Sequence, residues 1–319
     1  MKLPLSLPSS SLQSFDAVGF GLNTSDVLAV LAHFPISGTK MPIEELAALP
    51  GGQTATAMTC VSRLGWAASY VGRFGDDANG RAGRQSLISS GVDVGSCVTV
   101  RNTTNALSLV LVDKKTGERT IVWSRHPGLA MGPDDVVASC VQSGRVLLVD
   151  GHEPSAARMA ARFAREKGIP TVIDVEKVRP GIEDLLSEID VIITSESFPT
   201  ALTGERELGQ ALRKLRSAFA PAMVCATLGA KGSLALVRNT EIRTPGFDVD
   251  VVDTTGAGDV FRGGFIGGWL LGKGEATVEE ILRYANGVAA LSCQRLGARA
   301  GIPTAAEVET LLSYGCTPR

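Results

Sequence analysis

The sequence predicts an α/β fold, in which a mostly parallel sheet lies between two layers of helices and a small β-sheet forms a lid. Apolar runs rich in Val and Ile alternate with polar segments of helical period, as residues 146–150 and 155–167 do. This alternation is typical of βαβ units on a buried parallel sheet. Residues 26–49 and 98–124 break the alternation, and we expect them to form a lid of antiparallel strands inserted into the core.

The remaining residues are expected to form a leader and the core. Residues 1–15 are interrupted by Pro4 and Pro8 and lack a sustained apolar stretch with a cleavage site, which predicts a flexible leader. The α/β core is expected to comprise three stretches, residues 16–25, 50–97 and 125–319.

Within the second inserted segment, residues 106–113 and 118–123 flank the turn 114–117, which predicts a β-hairpin. A lid built from such strands would cover one edge of the parallel sheet. Asp150 and Asp174 end predicted strands of that sheet, and ligands of such sheets bind beyond the carboxyl ends of the strands. The sequence therefore predicts a ligand site between these strand ends and the lid.

Composition restricts the classes of partner. The 319 residues are 44% hydrophobic and 20% charged, and the formal net charge is −2. Because no run of Lys and Arg is present, neither nucleic acid nor an acidic membrane surface is an expected partner. The six cysteines, which include Cys316, are scattered without a Cys-x-x-Cys pair, so we expect reduced thiols in a cytoplasmic protein.

One segment predicts the chemistry. Residues 253–259 read Asp-Thr-Thr-Gly-Ala-Gly-Asp, follow a β-like run at 247–252, and open a helix predicted to reach Leu271. At such a turn the backbone N–H groups of Gly256, Ala257 and Gly258 can converge on an anion, which the helix dipole also favours. These amides could stabilise a migrating phosphoryl group, and Asp259 could accept a hydroxyl proton.

Two purely structural interpretations stay open for this segment. A glycine-rich turn before a helix can serve tight packing alone, and Asp259 can act only as a cap of the helix. Gly263 and Gly264 favour a functional role, because glycine within a helix costs about 1 kcal/mol relative to alanine. Residues 267–274 resemble a Walker A loop without its final Ser or Thr, and we expect Gly272 to cap the helix end.

Segment 253–265 resembles the C-terminal signature of the ribokinase-like (PfkB) carbohydrate kinases. Residues 51–65, which begin Gly-Gly-Gln-Thr-Ala-Thr, and residues 71–80, Val-Gly-Arg-Phe-Gly-Asp-Asp-Ala-Asn-Gly, are similar to the N-terminal signature. The resemblance spans about residues 16–312. It implies a ribokinase-like three-layer α/β/α core with a β-lid, and transfer of the γ-phosphate of ATP to a sugar hydroxyl with Mg²⁺ as cofactor.

The resemblance implies a role for each matching residue. Asp259 would be the catalytic base, and the amides of Gly256–Asp259 would form an anion hole. The sugar would contact Asp26, Gly51, Gly52 and Thr56. Trp123 and His152 are further candidates for a sugar contact, although core, structural or surface roles are as plausible for them. The nucleotide would contact Ser195, Thr227, Gly229, Gly232 and Asn286. A monovalent cation, K⁺, would be held by Asp253, Thr255 and carbonyl groups of residues 292–301.

Two positions depart from the family pattern. Thr56 replaces an Asn, which shortens the polar contact to the sugar. The Asn-x-x-Glu motif is replaced by Ser-Glu-Ser-Phe at residues 195–198, so the glutamate that organises Mg²⁺ through water is displaced, and Glu196 is the expected substitute. This departure keeps a second hypothesis open, namely a sugar- or nucleotide-binding sensor of the same fold with weakened catalysis.

Residues 247–253 and 287–303 most resemble the sulfofructose kinase and ketohexokinase branch, which implies a ketose or a related furanose as acceptor. Arg125, after the hairpin, is either a contact for an anionic substituent or an ordinary solvated charge. A nicotinamide dehydrogenase is disfavoured, because residues 19–24 fail the Gly-x-Gly-x-x-Gly pattern at the last position. Exposed edges of lid strands often pair between subunits, so we expect a homodimer joined through the lid.

Overall fold

The computed structural model describes residues 1–116 and 119–314. Over these residues the strands, numbered in chain order, are β1 (Ala17–Phe20), β2 (Thr24–Leu31), β3 (Glu45–Gly51), β4 (Ala68–Val71), β5 (Arg73–Gly75), β6 (Val98–Val100), β7 (Leu107–Asp113), β8 (Arg119–Ser124), β9 (Leu147–Asp150), β10 (Thr171–Val175), β11 (Val191–Ser195), β12 (Met223–Thr227), β13 (Ser233–Val237) and β14 (Thr240–Thr244). The helices are α1 (Gln53–Arg63), α2 (Ala78–Ser89), α3 (Ala138–Val141), α4 (Pro154–Glu166), α5 (Ile182–Leu186), α6 (Ser197–Thr203), α7 (Leu208–Phe219), α8 (Ala257–Leu271), α9 (Val278–Ser292) and α10 (Ala305–Tyr314).

The central sheet contains eight of the described strands, in the order β14-β13-β12-β11-β10-β9-β1-β4. From β4 to β12 all neighbours pair in parallel, whereas β13 and β14 are antiparallel and end the sheet at one edge. The predicted mostly parallel sheet is therefore confirmed. The carboxyl ends of β9 and β10 lie together, because Asp174 pairs in register with Asp150.

Helices cover both faces of this sheet, and alternate strand residues reach opposite cores. In β9, Leu148 belongs to the same buried cluster as Phe265 of α8, whereas Leu147 belongs to the cluster that contains Ala160 of α4. Burial of both faces explains why the strands read as continuous apolar runs rather than as alternating patterns. The three-layer α/β/α arrangement predicted from the sequence is thus present.

A second sheet of four strands, in the order β3-β2-β7-β8, lies outside the central one. Strands β7 and β8 pair antiparallel, as the predicted hairpin requires, and β2 pairs in parallel with β7. Gly117 and Glu118 of the predicted hairpin lie outside the described residues. The strands depart from the predicted lid boundaries, since β2 begins at Thr24, β3 ends at Gly51, and β6 pairs with β5 instead of joining the lid.

The segment predicted as a flexible leader packs against the core through its first residues. Leu3 is buried in the main core cluster, and Leu5 and Leu7 pack against it. The amide of Val278 donates to the carbonyl of Met1 at 2.7 Å, which fixes the first residue at the start of α9. Leucines at alternate positions form one apolar edge in extended chain, and burial of that edge stabilises the segment despite its prolines.

The strand predicted at residues 247–252 is absent. Within the part of the chain that the structure describes, the segment has no strand partner, and Val251 and Val252 are exposed. The amides of Val252 and Asp253 instead donate to the carbonyl of Cys293 after α9, at 2.8 and 3.1 Å. Its Val-rich composition favours a strand, but the chain here runs as irregular backbone towards α8.

Other features agree with the sequence. Gly272 ends α8 as its C-cap. The described cysteines, Cys60, Cys97, Cys140, Cys225 and Cys293, are free thiols, and Cys316 lies outside the described residues. None of the described helices has the length and apolar character needed to cross a membrane.

Candidate active site

A cleft of about 450 Å³ opens between the lid sheet and the carboxyl ends of the central strands. The predicted residues that line it include Asp26, Gly52, Trp123, His152, Gly256 and Asp259. A second cleft, of about 250 Å³, is lined by Thr227, Gly229, Gly232, Asn286, Ala257 and Gly258. The two clefts therefore meet at the first turn of α8. This junction is where a group could pass from a ligand in one cleft to a ligand in the other.

The turn at this junction is shaped by glycine. Gly256 is the N-cap of α8 with a φ of 74°, and a Cβ atom there would lie 2.6 Å from the Cβ of Ala298. Within the described residues, the amides of Gly256, Gly258 and Asp259 donate to no protein acceptor, whereas the amide of Ala257 donates to the carbonyl of Thr254 at 3.2 Å. Unpaired amides at a helix N-terminus favour an anion.

Asp259 is half-buried at the same turn. Burial raises the pKa of its carboxyl group well above the ordinary range, and the nearby carboxyl group of Asp174 adds to the shift, while Arg262 opposes it. A carboxyl group with a raised pKa that faces a cleft is typical of a residue that exchanges protons.

Sequence reasoning did not find the ion pair behind Asp259. Arg262, one turn further along α8, donates to Asp174 with 2.9 Å between Nη2 and Oδ1, and both side chains are almost fully buried. The only local signal was a single Arg in an otherwise apolar helix that also carries the glycine turn, and its partner lies far away in the sequence. A buried guanidinium group requires such a carboxylate partner.

On the acceptor side, Asp26 lies on β2 and faces the larger cleft. Thr24 Oγ1 donates to its Oδ1 at 2.8 Å, and burial raises its pKa. Gly51 lies behind Asp26, whose carboxylate a Cβ atom at Gly51 would overlap. Gly51 thus packs behind Asp26 and does not line the cleft, whereas Gly52 lines it.

Thr56, which the family resemblance assigns to the sugar, does not line the larger cleft. Thr56 is fully buried on α1, and its Oγ1 accepts from Arg299 Nε at 3.3 Å. The guanidinium group of Arg299 also donates to the carbonyl of Gly51 at 2.6 Å. Burial lowers the pKa of Arg299 to about 10. Arg299 therefore connects the turn at Gly51 to α1.

Residues from the lid and from the strand ends form the other walls. The row Asp26, Ser108 and Trp123 crosses β2, β7 and β8 in register, and all three line the cleft. His152 follows β9, and burial lowers the pKa of its imidazole. Arg125 forms an ion pair with Glu153 and donates to the carbonyl of Leu129, so its charge is compensated within the protein.

The smaller cleft contains four of the five residues predicted to contact nucleotide. Thr227 ends β12, and Gly229 and Gly232 both have positive φ angles, at 58° and 88°. The amide nitrogen of Asn286 is occupied by Ser233 Oγ and by the carbonyls of Thr244 and Pro245, at 3.2–3.3 Å. Asn286 therefore shapes the cleft wall, and its amide nitrogen is already used.

Ser195 and Glu196 line neither cleft. Ser195 pairs in register with Thr227, so it lies beside the smaller cleft, and its hydroxyl contacts Ser197 at 3.4 Å. Glu196 is exposed at the start of α6. In the part of the chain that the structure describes, no group of three or more His, Cys, Asp or Glu side chains is placed to hold a metal ion.

Asp253 and Thr255 form an ordered turn before α8. The amide and the hydroxyl of Thr255 donate to Asp253 Oδ1 at 2.9 and 2.7 Å, and the amide of Gly297 donates to Oδ2 at 2.7 Å. The predicted neighbours of a cation site, Asp253 and the loop 292–301, are therefore adjacent.

Comparisons with known proteins agree with this geometry. The family model described as "pfkB family carbohydrate kinase" matches residues 21–305. An ATP-dependent ribose-1-phosphate kinase from Halopiger xanaduensis is 32% identical over 266 residues, which cover 82% of this chain and 86% of that protein. A ribokinase from Haemophilus influenzae is 28% identical over 92% of this chain and 96% of the relative.

Among solved structures, the ribokinase of Arabidopsis thaliana in complex with ribose and ATP superposes with a TM-score of 0.81. It is 26% identical, and the match covers 94% of this chain and 99% of that one. The family match extends over most of the chain and includes the lid, both clefts and the first turn of α8. The chain therefore belongs to the PfkB family of carbohydrate kinases.

Proposed function

We propose that this carbohydrate kinase transfers the γ-phosphate of ATP to a hydroxyl group of a ketose or a related furanose, with Asp259 as the base. The observation that carries the proposal is the meeting of two clefts at the first turn of α8. Asp259 and Gly256 line the larger cleft, and Ala257 and Gly258 line the smaller one. A sugar in the first and a nucleotide in the second would place acceptor and donor on opposite sides of one set of amides.

In this mechanism the protein contributes positioning and charge. Asp26 and Gly52 hold the sugar, and Asp259 accepts the proton of the attacking hydroxyl group. The free amides of Gly256, Gly258 and Asp259 stabilise the negative charge on the transferring phosphoryl group. The amide of Ala257 donates to the carbonyl of Thr254, so the anion hole comprises the other three amides.

We assign the nucleotide to the smaller cleft because glycines line its wall. Positive φ angles at Gly229 and Gly232 allow backbone to approach a ligand without side-chain obstruction. Mg²⁺ would neutralise charge on the phosphates when bound, with much of its coordination from phosphate oxygens and water. Among the described residues no three His, Cys, Asp or Glu side chains are placed to hold a metal ion together. Glu196 as the organiser of Mg²⁺ through water, and K⁺ at Asp253 and Thr255, follow from the family resemblance alone.

The test of the mechanism is Asp259→Asn. We expect kcat to fall by about 10²–10⁴-fold, because the amide cannot accept the hydroxyl proton. Binding of ATP, measured as the shift that it causes in the melting temperature, should persist, because the variant keeps the smaller cleft. Transfer at nearly the wild-type rate would show that Asp259 is not the base.

A second candidate acceptor is a sugar that carries an anionic group. Lys177 and Arg179, which follow β10, line the larger cleft, and among the described residues neither side chain has a hydrogen-bond or ion-pair partner. Uncompensated cations in a cleft attract an anion. A relative in Halopiger xanaduensis is named a ribose-1-phosphate kinase, which also favours a charged acceptor.

A substrate panel separates these possibilities. The protein is incubated with ATP, Mg²⁺ and either ribose, fructose, ribose 1-phosphate or fructose 6-phosphate, and ADP formation is measured. Preference for a phosphorylated sugar, lost in Arg179→Gln, would favour the charged acceptor, whereas preference for a neutral sugar would favour the simple ketose or furanose. Ligand-dependent stabilisation without any ADP would instead favour the sensor hypothesis.

A further inference from the structure

Asp150 ends β9 at the edge of the central sheet where the larger cleft opens, and the mechanism proposed above gives it no part. The residue is only 1% exposed. Among the described residues its carboxylate forms no ion pair. A buried carboxylate requires hydrogen-bond donors, so the donors around Asp150 indicate what it does.

Three hydrogen bonds converge on this carboxylate from three different segments of the chain. The amide of Leu22, before β2, and the hydroxyl group of Thr54, on α1, donate to its Oδ2 atom at 2.6 and 2.7 Å. The amide of His152, after β9, donates to its Oδ1 atom at 3.0 Å. An ionised carboxylate only accepts hydrogen bonds, so it suits three donors better than a side-chain amide would.

The loop before β2 lies directly against this carboxylate because residue 21 is a glycine. A Cβ atom on Gly21 would overlap both the carboxylate of Asp150 and the hydroxyl group of Thr54. The carbonyl of Gly21 also accepts from the hydroxyl group of Tyr70 at 2.6 Å. The backbone of the loop is thus fixed by hydrogen bonds at two successive residues.

Each of the three segments contributes to the wall of the larger cleft. The residues of these segments that line it are Leu22, Gly52, Gln53 and His152. Thr54 directly follows this turn of the wall, and the loop before β2 leads to Asp26. Asp150 is not among the described residues that line the cleft. It can therefore act on a bound ligand only through the segments that it holds.

We propose that Asp150 is a positioning residue, which fixes the loop before β2, the turn before α1 and the loop after β9 relative to one another and so sets the affinity of the larger cleft for the sugar. The inference rests on the proposed function in that it takes this cleft as the sugar site. Loss of one hydrogen bond should shift one wall without removing a group that contacts the sugar. Asp259 and the amides of α8 belong to another segment, so binding should be affected more than transfer.

The most selective test removes one of these hydrogen bonds. Thr54→Val replaces the hydroxyl group with a methyl group, and KM for the sugar should rise about tenfold, because a hydrogen bond to a charged group is lost. The value of kcat should stay within about threefold of wild type, and KM for ATP should not change. Thr54→Ser keeps the hydroxyl group although it deletes a buried methyl group, so its KM for the sugar should stay near the wild-type value. A role in packing alone predicts at least as large an effect in Thr54→Ser, and that result would overturn the proposal.

Substitution of Asp150 itself should have a larger effect. In Asp150→Asn the side-chain oxygen can still accept from Leu22 and Thr54, but the NH₂ group then faces the amide of His152. We expect KM for the sugar to rise about tenfold in Asp150→Asn and about a hundredfold in Asp150→Ala, which loses all three hydrogen bonds. The amide of Ala55 donates to the carbonyl of Leu22 at 3.3 Å, so the loop and α1 stay joined in each variant. An unchanged KM in both variants would contradict the assignment.

A matched control lies at the opposite edge of the sheet. The amide and the hydroxyl group of Thr171, at the start of β10, donate to the Oδ2 atom of Asp190 at 2.9 and 3.0 Å. Asp190→Asn should lower the melting temperature but leave KM for the sugar unchanged, because the amino ends of the parallel strands face away from the cleft. An equal rise of KM in Asp190→Asn would overturn the proposal, since general destabilisation would then explain the effect.

Sugar binding without turnover separates this inference from the proposed function. Calorimetric titration with ribose, fructose, ribose 1-phosphate or fructose 6-phosphate, without ATP, gives a Kd for each variant. Binding that is about tenfold weaker in Thr54→Val than in wild type would support the role of Asp150 even if Asp259→Asn shows that Asp259 is not the base. Equal Kd values in wild type, Thr54→Val and Asp150→Asn would overturn the inference and leave the proposed function intact. A wild-type protein that binds none of the four sugars would contradict both.

Discussion

At the residue scale, Gly52 allows the turn before α1 to lie against the loop before β2. Its φ is 94°, and a Cβ atom there would overlap the backbone of Asn23. Gly52 is also the N-cap of α1 and lines the cleft beside Asp26. A side chain at this position must therefore displace the loop that leads into β2, on which Asp26 lies.

We predict that Gly52→Ala destabilises the protein by about 1–3 kcal/mol and raises KM for the sugar about tenfold. The control is Gly274→Ala, because Gly274 has a similar φ of 77° and open space around it. The Gly274→Ala variant should lose only the free energy of unfolding that backbone strain costs, and its KM for the sugar should not change. Urea unfolding and sugar saturation curves measure the two effects, and an unchanged KM in Gly52→Ala would argue against a sugar site at this turn.

The role of Asp259 could be predicted from the sequence, whereas contacts between residues far apart in the sequence could not. Asp259 and its glycines lie within one short segment, so their spacing alone indicates an anion site. Thr56 and Arg299 are 243 positions apart, and their hydrogen bond exists only because α1 and the loop after α9 meet in the fold. Helical phase directs Thr56 inwards, which motif matching cannot reveal.

At the element scale, β8 presents different faces to the cleft and to the outside. Ile121 and Trp123 line the cleft, whereas Thr120 and Val122, which alternate with them, do not. Every residue of β8 has an exposed side chain. The cleft-facing residues therefore gain burial only when a ligand fills the space beneath the lid.

We predict that Trp123→Ser raises KM for the sugar about tenfold, equivalent to about 1.4 kcal/mol, with little change in thermal stability. Thr120→Ala, on the opposite face of the same strand, should leave KM unchanged. Steady-state kinetics with the best acceptor from the panel test this. Equal effects of the two substitutions would show that the lid does not contact the sugar through this face.

Elements were predictable from the sequence where local pattern and tertiary environment agree. The hairpin β7–β8 and the units around β9 and β10 follow their periodicity. The segment 247–252 has the composition of a strand but pairs with none of the described strands. Strands β13 and β14 pair antiparallel at one edge of the sheet, which the alternation of strand and helix patterns did not predict. Whether a strand has a partner is decided by the whole fold.

At the scale of the whole molecule, the outer face of the lid is apolar. One row across the four strands contains Ala48, Val27, Leu109 and Val122, in register. The next row contains Leu46, Ala29, Leu111 and Thr120. Leu46 and Val122 are 62% and 57% exposed. A contiguous apolar face of this kind on a small sheet favours contact with another protein surface.

We predict that this face joins two copies of the chain in a symmetric dimer, because the same apolar rows on each copy can pack against one another. Val122→Lys should convert the dimer to a monomer in light scattering, since the lysine charge would be buried at the interface. Leu12→Lys, at a residue that is 77% exposed elsewhere, should remain dimeric. Because the opposite face of the same sheet covers the sugar, the monomer should also show a higher KM for sugar than the dimer. A wild-type protein that is monomeric at assay concentrations would refute the lid interface and would require another partner for this apolar surface.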